Sequence, residues 1–368
     1  MLNRFFRYKR IRFLLLIPLG LFLILAARWD RSWVEQIHAK TVYPLFANSL
    51  GGFLSLMPFS VLEILVFLFA AAAVFYLIWS VVKITRHPAQ WKNRLWRLGL
   101  NLACVLSAGW FAFVLFMGLN YYRAPITDYL NLTVKQSETK ELYDLCVLLA
   151  EDCNHYRAQM KENEEGVSLL NDGGFYETAD SARDAYRALS EKIPVLKAAN
   201  VRNKPLLTSK LFSLVLTTGI YIPFESGINV DVPPHTVPAT MCHELTHFRG
   251  FMREDEANFL GYLACMESHR ADFKYSGSLM AFGYAFNALY DDDQDLAAEA
   301  AAVCGEGMRR DLRAESDYWK PYRHTKISKA SNQIYDQYLQ ANDQPSGMKS
   351  YGEMVDLLLA YYRNFNET

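Results

Sequence analysis

Residues 241–258 read Met241-Cys242-His243-Glu244-Leu245-Thr246-His247-Phe248-Arg249-Gly250-Phe251-Met252-Arg253-Glu254-Asp255-Glu256-Ala257-Asn258. His243 to His247 form H-E-x-x-H, the spacing that sets two imidazoles and a carboxylate around a zinc ion. On a helix, positions four apart share a face about one turn from each other, so both imidazoles reach one metal. Glu244 then stands close enough to act as general base on a water at that metal. Met241 and Cys242 lead in with apolar character, as a buried helix face requires. Gly250, three residues after His247, ends or bends the helix.

A catalytic zinc takes three protein ligands and leaves a position for water, so this helix supplies only two of the three. A second helical run opens at Arg253 and continues through Phe259, Leu260, Tyr262, Leu263 and Met266. The pattern H-E-x-x-H-x-x-G-x-x-H matches through Gly250 and then meets Arg253, which cannot bind a metal. A glutamate must serve instead, and Glu254 and Glu256 compete. The segment resembles helices of the glutamate-ligand zincins, in which the first acid binds zinc and the residue one turn later orients a ligand histidine. That resemblance implies Glu254 as ligand and Asn258 as its supporting group, with Glu256 as the alternative. Either acid would also suit a solvated helix N-terminus, where the dipole favours it.

The first third of the chain is of different material. Apolar runs cover Phe13 to Ala27, Leu54 to Val82 and Leu98 to Leu119. A bilayer core of about 30 Å needs roughly 20 apolar helical residues, which the second and third runs supply and the first approaches. The first run lacks a clear small-residue cleavage site after its basic lead, so an uncleaved anchor is expected rather than a signal peptide. Basic residues cluster in the N-terminal tail (Arg4, Arg7, Lys9, Arg10, Arg12) and between the second and third runs (Lys83, Arg86, Lys92, Arg94, Arg97). The positive-inside rule puts both clusters in the cytoplasm and everything after about Asn120 outside a bacterial cytoplasmic membrane. Trp29, Trp33, Trp96 and Tyr121-Tyr122-Arg123 stand near the ends of the runs, as interfacial anchors do.

The remaining part, about 250 residues, is long enough for one well-cored domain. A net charge of −1 gives no case for nucleic-acid binding. The six cysteines show neither a C-x-x-C metal knuckle nor a disulfide framework and read as small buried residues. Helical periodicity marks Ser137 to Met160, Thr178 to Lys197, Asp295 to Tyr318, Ile327 to Ala341 and Gly352 to Tyr362. Gly219 to Glu225 and Gly227 to Val232 alternate and are β-branched, predicting two short strands about a Ser226-Gly227 turn. A strand just before a metal helix can pair with an extended peptide, or can simply cover the core.

The chain also resembles the bacterial membrane family called domain of unknown function 3810. The resemblance is carried by three apolar runs, by Asn120-Tyr121-Tyr122-Arg123, and by Lys204-Pro205 and Ser209 ahead of Tyr221-Ile222-Pro223-Phe224. It continues through His243 to Gly250, Arg253 to Leu260, Tyr338-Leu339-Gln340-Ala341-Asn342 and Ser350-Tyr351-Gly352. Ser226-Gly227-Ile228-Asn229 departs from it, standing where similar sequences carry a Thr-Gly-Glu-Ala-Asn type of turn. The resemblance implies a membrane zincin and names no substrate.

The expected architecture is mainly α (α+β). Residues 1–120 form a membrane domain with three transmembrane helices, and residues 121–368 form an extracytoplasmic, mostly helical zincin-like domain with a small β-hairpin. The expected activity is zinc-dependent hydrolysis of a peptide or protein substrate, with Glu244 as base and His243, His247 and Glu254 as metal ligands. Tyr351, His269 and His324 are candidates for stabilising the oxyanion. The competing expectation is an inactive zincin-like scaffold, sensor or peptide-binding protein in the lipid bilayer. An intact Glu244 speaks against it, because metal binding alone does not require that residue.

Overall fold

A computed structural model describes residues 9–171 and 173–366, so Arg4 and Arg7 of the basic tail lie outside the described residues. The chain divides into two compact units, Met1–Tyr43 with Val61–Arg123, and Pro44–Ser60 with Ala124–Thr368.

The first unit holds three helices long and apolar enough to cross a membrane, Lys9–Trp29, Val61–Arg86 and Pro88–Tyr122. Their regular α-helical parts are α1 (Leu16–Trp29), α2 (Val61–Arg86) and α3 (Trp91–Phe116). Each consists of long apolar residues with few breakers, and large side chains such as Phe22, Phe69, Phe75 and Leu106 stay exposed, as a lipid-facing surface requires. Two hydrogen bonds tie polar side chains within the bundle. Ser107 Oγ donates to the Phe13 carbonyl at 2.6 Å, and Asn101 Nδ2 donates to Tyr76 Oη at 2.6 Å. The second helix starts at Val61 rather than at Leu54. Pro58 has no N–H to continue a helix, and Ser60 is taken up by a hydrogen bond to Glu225.

The second unit is helical around a small sheet. Its α-helices of six residues or more are α4 (Thr139–Arg157), α5 (Gly174–Lys192), α6 (Ser209–Leu214), α7 (Val237–Phe248), α8 (Glu254–Glu267), α9 (Ala271–Asp292), α10 (Gln294–Val303), α11 (Glu306–Trp319), α12 (Lys326–Ala341) and α13 (Met354–Asn366). The run predicted over Asp295 to Tyr318 breaks at Cys304-Gly305 into α10 and α11. Every residue of α7 is buried, and so is most of α8. These two helices therefore form the centre of the unit, with α5, α9 and α13 packed around them. Tyr186 of α5 hydrogen-bonds Thr246 of α7, and the Arg249 guanidinium lies 3.9 Å above the Tyr186 ring. Arg249 also donates to the carbonyls of Leu196 (3.0 Å) and Leu245 (2.8 Å), which fixes the end of α7.

The sheet has three strands in the order β1 (Lys204–Pro205), β3 (Glu225–Ile228), β2 (Gly219–Ile222). β1 runs parallel to β3 and β2 antiparallel to it, so the expected hairpin gains a third strand. The turn lies at Pro223-Phe224, not at Ser226-Gly227, because Ile222 pairs with Glu225. Pro223 suits the first turn position, and Phe224 takes the left-handed conformation (φ 73°) that the second requires. Its N–H donates to Tyr221 Oη at 2.9 Å. Ser226 is inside the strand, where Asn203 Nδ2 donates to its hydroxyl at 2.6 Å and to the Met241 carbonyl at 3.0 Å.

Lys204 and Glu225 make an ion pair of 2.8 Å with both side chains only 3% exposed. Lys204 Nζ also donates to the Leu54 carbonyl at 2.7 Å, so the pair holds the 44–60 segment to the sheet. Removing one partner leaves a buried charge uncompensated. Lys204→Ala is therefore expected to cost about 3–5 kcal/mol of stability, read as a lowered thermal midpoint of the purified protein.

Candidate metal centre

Three side chains converge between α7 and α8. His243 Nε2 and His247 Nε2 are 3.1 Å apart, and Glu254 Oε2 lies 3.2 Å from the first and 3.7 Å from the second. The local cause is legible in the chain. α7 carries the histidines one turn apart, and Gly250 (φ 82°) reverses the backbone after Phe248. The chain re-enters a helix at Glu254, whose first-turn position aims its carboxylate back at α7. Gly261 allows the crossing, since a Cβ there would lie 3.1 Å from the His243 backbone nitrogen.

The outward ring nitrogens fix which atoms carry lone pairs. Asn258 Nδ2 donates to the Tyr351 carbonyl (3.2 Å), which turns Asn258 Oδ1 toward His243 Nδ1 at 2.8 Å. His247 Nδ1 lies 2.8 Å from the Phe251 carbonyl. Both partners only accept, so each Nδ1 must be the donor. That leaves Nε2 of each neutral ring as a lone pair aimed at its neighbour and at a carboxylate oxygen. Three such atoms at this spacing repel unless a proton or a cation sits among them. A tetrahedral zinc with ligand bonds of about 2.0–2.2 Å would space its ligand atoms roughly 3.3–3.5 Å apart. The observed 3.1, 3.2 and 3.7 Å bracket that spacing, each within a few tenths of an ångström of it. The three residues, all buried, form the one group of this kind among the described residues.

Charge in the cluster follows from burial and proximity. Burial alone would raise Glu254, but His243, His247 and a hydrogen bond from Tyr335 outweigh it and hold the carboxyl down to about 2. Burial pushes the His247 imidazole down to about 4, so it is neutral and ready to ligate. Burial lowers His243 too, yet Glu254, with Glu244 and Asn258 adding to it, outweighs burial and raises the imidazole above the ordinary histidine value, so a proton can stand between His243 and Glu254. A metal taking this place would displace that proton.

Glu244 sits on α7 beside the cluster with its Oε2 buried and, among the described residues, without a hydrogen-bond partner. Burial pushes its carboxyl up to about 8; His243 opposes this and Glu254 adds to it. β2 starts directly against it. A Cβ on Gly219 would fall 2.6 Å from Glu244 Oε1 and 2.7 Å from Thr240 Cγ2, so only glycine lets the strand pass here.

Glu256 points elsewhere. It accepts from the Ile126 backbone N–H at 2.6 Å and takes both arms of Arg253 at 3.0 and 3.1 Å, which leaves no reach to the histidines. Of the three oxyanion candidates, Tyr351 packs on the cluster, its ring stacked on His243 at 6.1 Å and 7°. His269 and His324 are exposed on turns. Tyr335, which carried no distinguishing signal in the sequence, donates to Glu254 Oε1 at 2.7 Å and meets Tyr351 Oη at 3.0 Å. Its place on α12, some 80 residues after its partner, could be found only from the fold.

The Asn258 amide acts on His243 from behind. Asn258→Ala is expected to weaken metal affinity about 10–100-fold, measured by competition with a chromogenic chelator.

A mostly helical protein with three membrane-length helices and a buried two-histidine, one-glutamate group is the class that fold and site define. The profile of the family described as "Protein of unknown function (DUF3810)" matches residues 38–359, and the chain belongs to that family. No curated protein and no solved structure is matched.

Proposed function

We propose that this chain is a membrane-anchored zinc hydrolase of the glutamate-ligand zincin type, most simply a metallopeptidase acting outside the bacterial cytoplasm. The observation that carries the reading is the convergence of His243, His247 and Glu254 next to a Glu244 carboxylate oxygen that has no hydrogen-bond partner among the described residues. Zinc held by these three residues would supply a Lewis acid that makes water nucleophilic near neutral pH and polarises a carbonyl. A structural zinc site closes with four protein ligands, often cysteines, whereas the group here has three, none of them a cysteine.

The chain's own groups divide the remaining work. Positive charge on the ligand set would lower Glu244 from about 8, leaving its carboxylate free to take a proton from the attacking water. Glu244 then returns that proton to the leaving nitrogen. β2 is an outer strand of the sheet beginning beside Glu244, and an extended peptide added along it would bring a scissile bond to the base. Tyr335 and Tyr351 hold Glu254 and His243 in place, since one phenol donates to the carboxylate and the other ring covers the imidazole.

The test is a peptide library offered to metal-loaded wild type and to Glu244→Gln. Cleavage by the first and none by the second supports the reading; identical behaviour of the two would sink it.

A further inference from the structure

We propose that residues 44–60 form an interfacial platform that rests on lipid headgroups and holds the metal helix at the membrane surface. The inference rests on reading the three long apolar helices as spans, and is independent of any activity.

The segment has two unlike sides. On one, Ala47, Gly51 and Ser60 are buried in the second unit. A Cβ on Gly51 would fall 2.4 Å from the Phe248 ring, so the segment's backbone lies directly on the residue following His247. Asn48 Oδ1 accepts from the Ala199 N–H at 2.7 Å, Ser55 Oγ from the Arg202 N–H at 3.3 Å, and the Leu54 carbonyl from Lys204 at 2.7 Å. On the other side, Leu45, Leu50, Phe53, Leu56, Met57 and Phe59 are exposed, Leu56 by 71% and Phe53 by 64%. Six large apolar side chains within fifteen residues, backed by a hydrogen-bonded polar face, form the pattern of a segment lying flat in a bilayer interface.

Chain length names the occupant. Phe59 stands two residues before Val61, where the second candidate span begins. Leu56 is five residues from it and cannot be more than about 18 Å away even fully extended. An exposed apolar surface tethered that closely to a span meets lipid before any other partner. Because Gly51 lies on Phe248 within the same unit, the bonds that seat the segment also fix the distance from the headgroups to the metal helix.

The experiment uses full-length protein in vesicles of phosphatidylcholine with phosphatidylglycerol. Nitroxide labels are placed through Phe53→Cys and Leu56→Cys, with Glu164→Cys in an exposed loop as the aqueous reference. The unsubstituted protein gives the background, since its cysteines are buried or, for Cys104, half-buried. Labels at 53 and 56 should be relaxed more by oxygen than by a water-soluble nickel chelate, with the reverse order at 164. Relaxation by the chelate as strong at 53 and 56 as at 164 would overturn the proposal. So would exclusion of both reagents, which would show another protein surface, including a second copy, over the segment. Both substitutions change exposed side chains, and an unchanged thermal midpoint confirms that the labelled proteins are folded.

Discussion

Glu244→Gln should keep its metal and lose turnover by about 10²–10⁴-fold, the usual share of a positioned general base. The substitution preserves shape, and the atom it changes lies outside the proposed ligand set: Glu244 Oε2 has no hydrogen-bond partner among the described residues, while the proposed ligand atoms are His243 Nε2, His247 Nε2 and Glu254 Oε2. Gln also suits the space beside Gly219, so the strand need not move. The amide cannot accept a proton from water at neutral pH, and the loss should therefore fall on kcat rather than KM. The comparison is made on whichever library peptide the wild type cleaves, with elemental analysis of both preparations alongside.

Glu254→Ala should abolish stable metal binding, with content falling from about one ion per chain to near none after gentle purification. Glu256→Ala should not. Its carboxylate serves the Ile126 N–H and Arg253, so its loss removes the acceptor of a buried N–H and one partner of the guanidinium and costs about 1–3 kcal/mol of stability with metal retained. The pair of variants thus separates ligation from scaffolding at two acids two positions apart in one helix turn. Loss of metal in Glu256→Ala and retention in Glu254→Ala would reverse the assignment. Parallel thermal melts keep the two effects distinct, because Glu254→Ala also removes the acceptor of the Tyr335 hydroxyl and the carboxylate beside His243, a change in stability that is read apart from metal content.

Much of this site was legible because it is local. His243, Glu244 and His247 lie within one helix, and Gly250 marks the reversal that brings Glu254 back within a few residues. The ambiguity between Glu254 and Glu256 could not be resolved from spacing, since both stand in the first turn of α8. It resolves in three dimensions through Ile126, some 130 residues earlier in the chain, which occupies Glu256. Tyr335 was out of reach for the same reason. The long helix α9 escaped notice because it is packed on several sides: Phe273, Leu279, Phe282 and Leu289 are buried along with the small residues between them, so no polar stripe alternates with an apolar one. The hairpin turn was misplaced because Ser-Gly is a strong local turn signal. In the fold, Asn203 binds Ser226 within the strand while Pro223-Phe224 makes the turn. The second span was started too early because apolar content alone does not distinguish a span from an interfacial segment. Leu54 and Leu56 to Phe59 are apolar, yet Ser55 and the Leu54 carbonyl are hydrogen-bonded to Arg202 and Lys204.

Zinc-edge X-ray absorption on gently purified, full-length wild type addresses the ligand set itself. The expected spectrum shows two imidazoles and oxygen ligands at about 2.0–2.2 Å with no sulfur. A sulfur shell at about 2.3 Å, which would bring in Cys242 or Cys265, or a preparation that takes up no zinc, would contradict the assignment of His243, His247 and Glu254 as a metal centre.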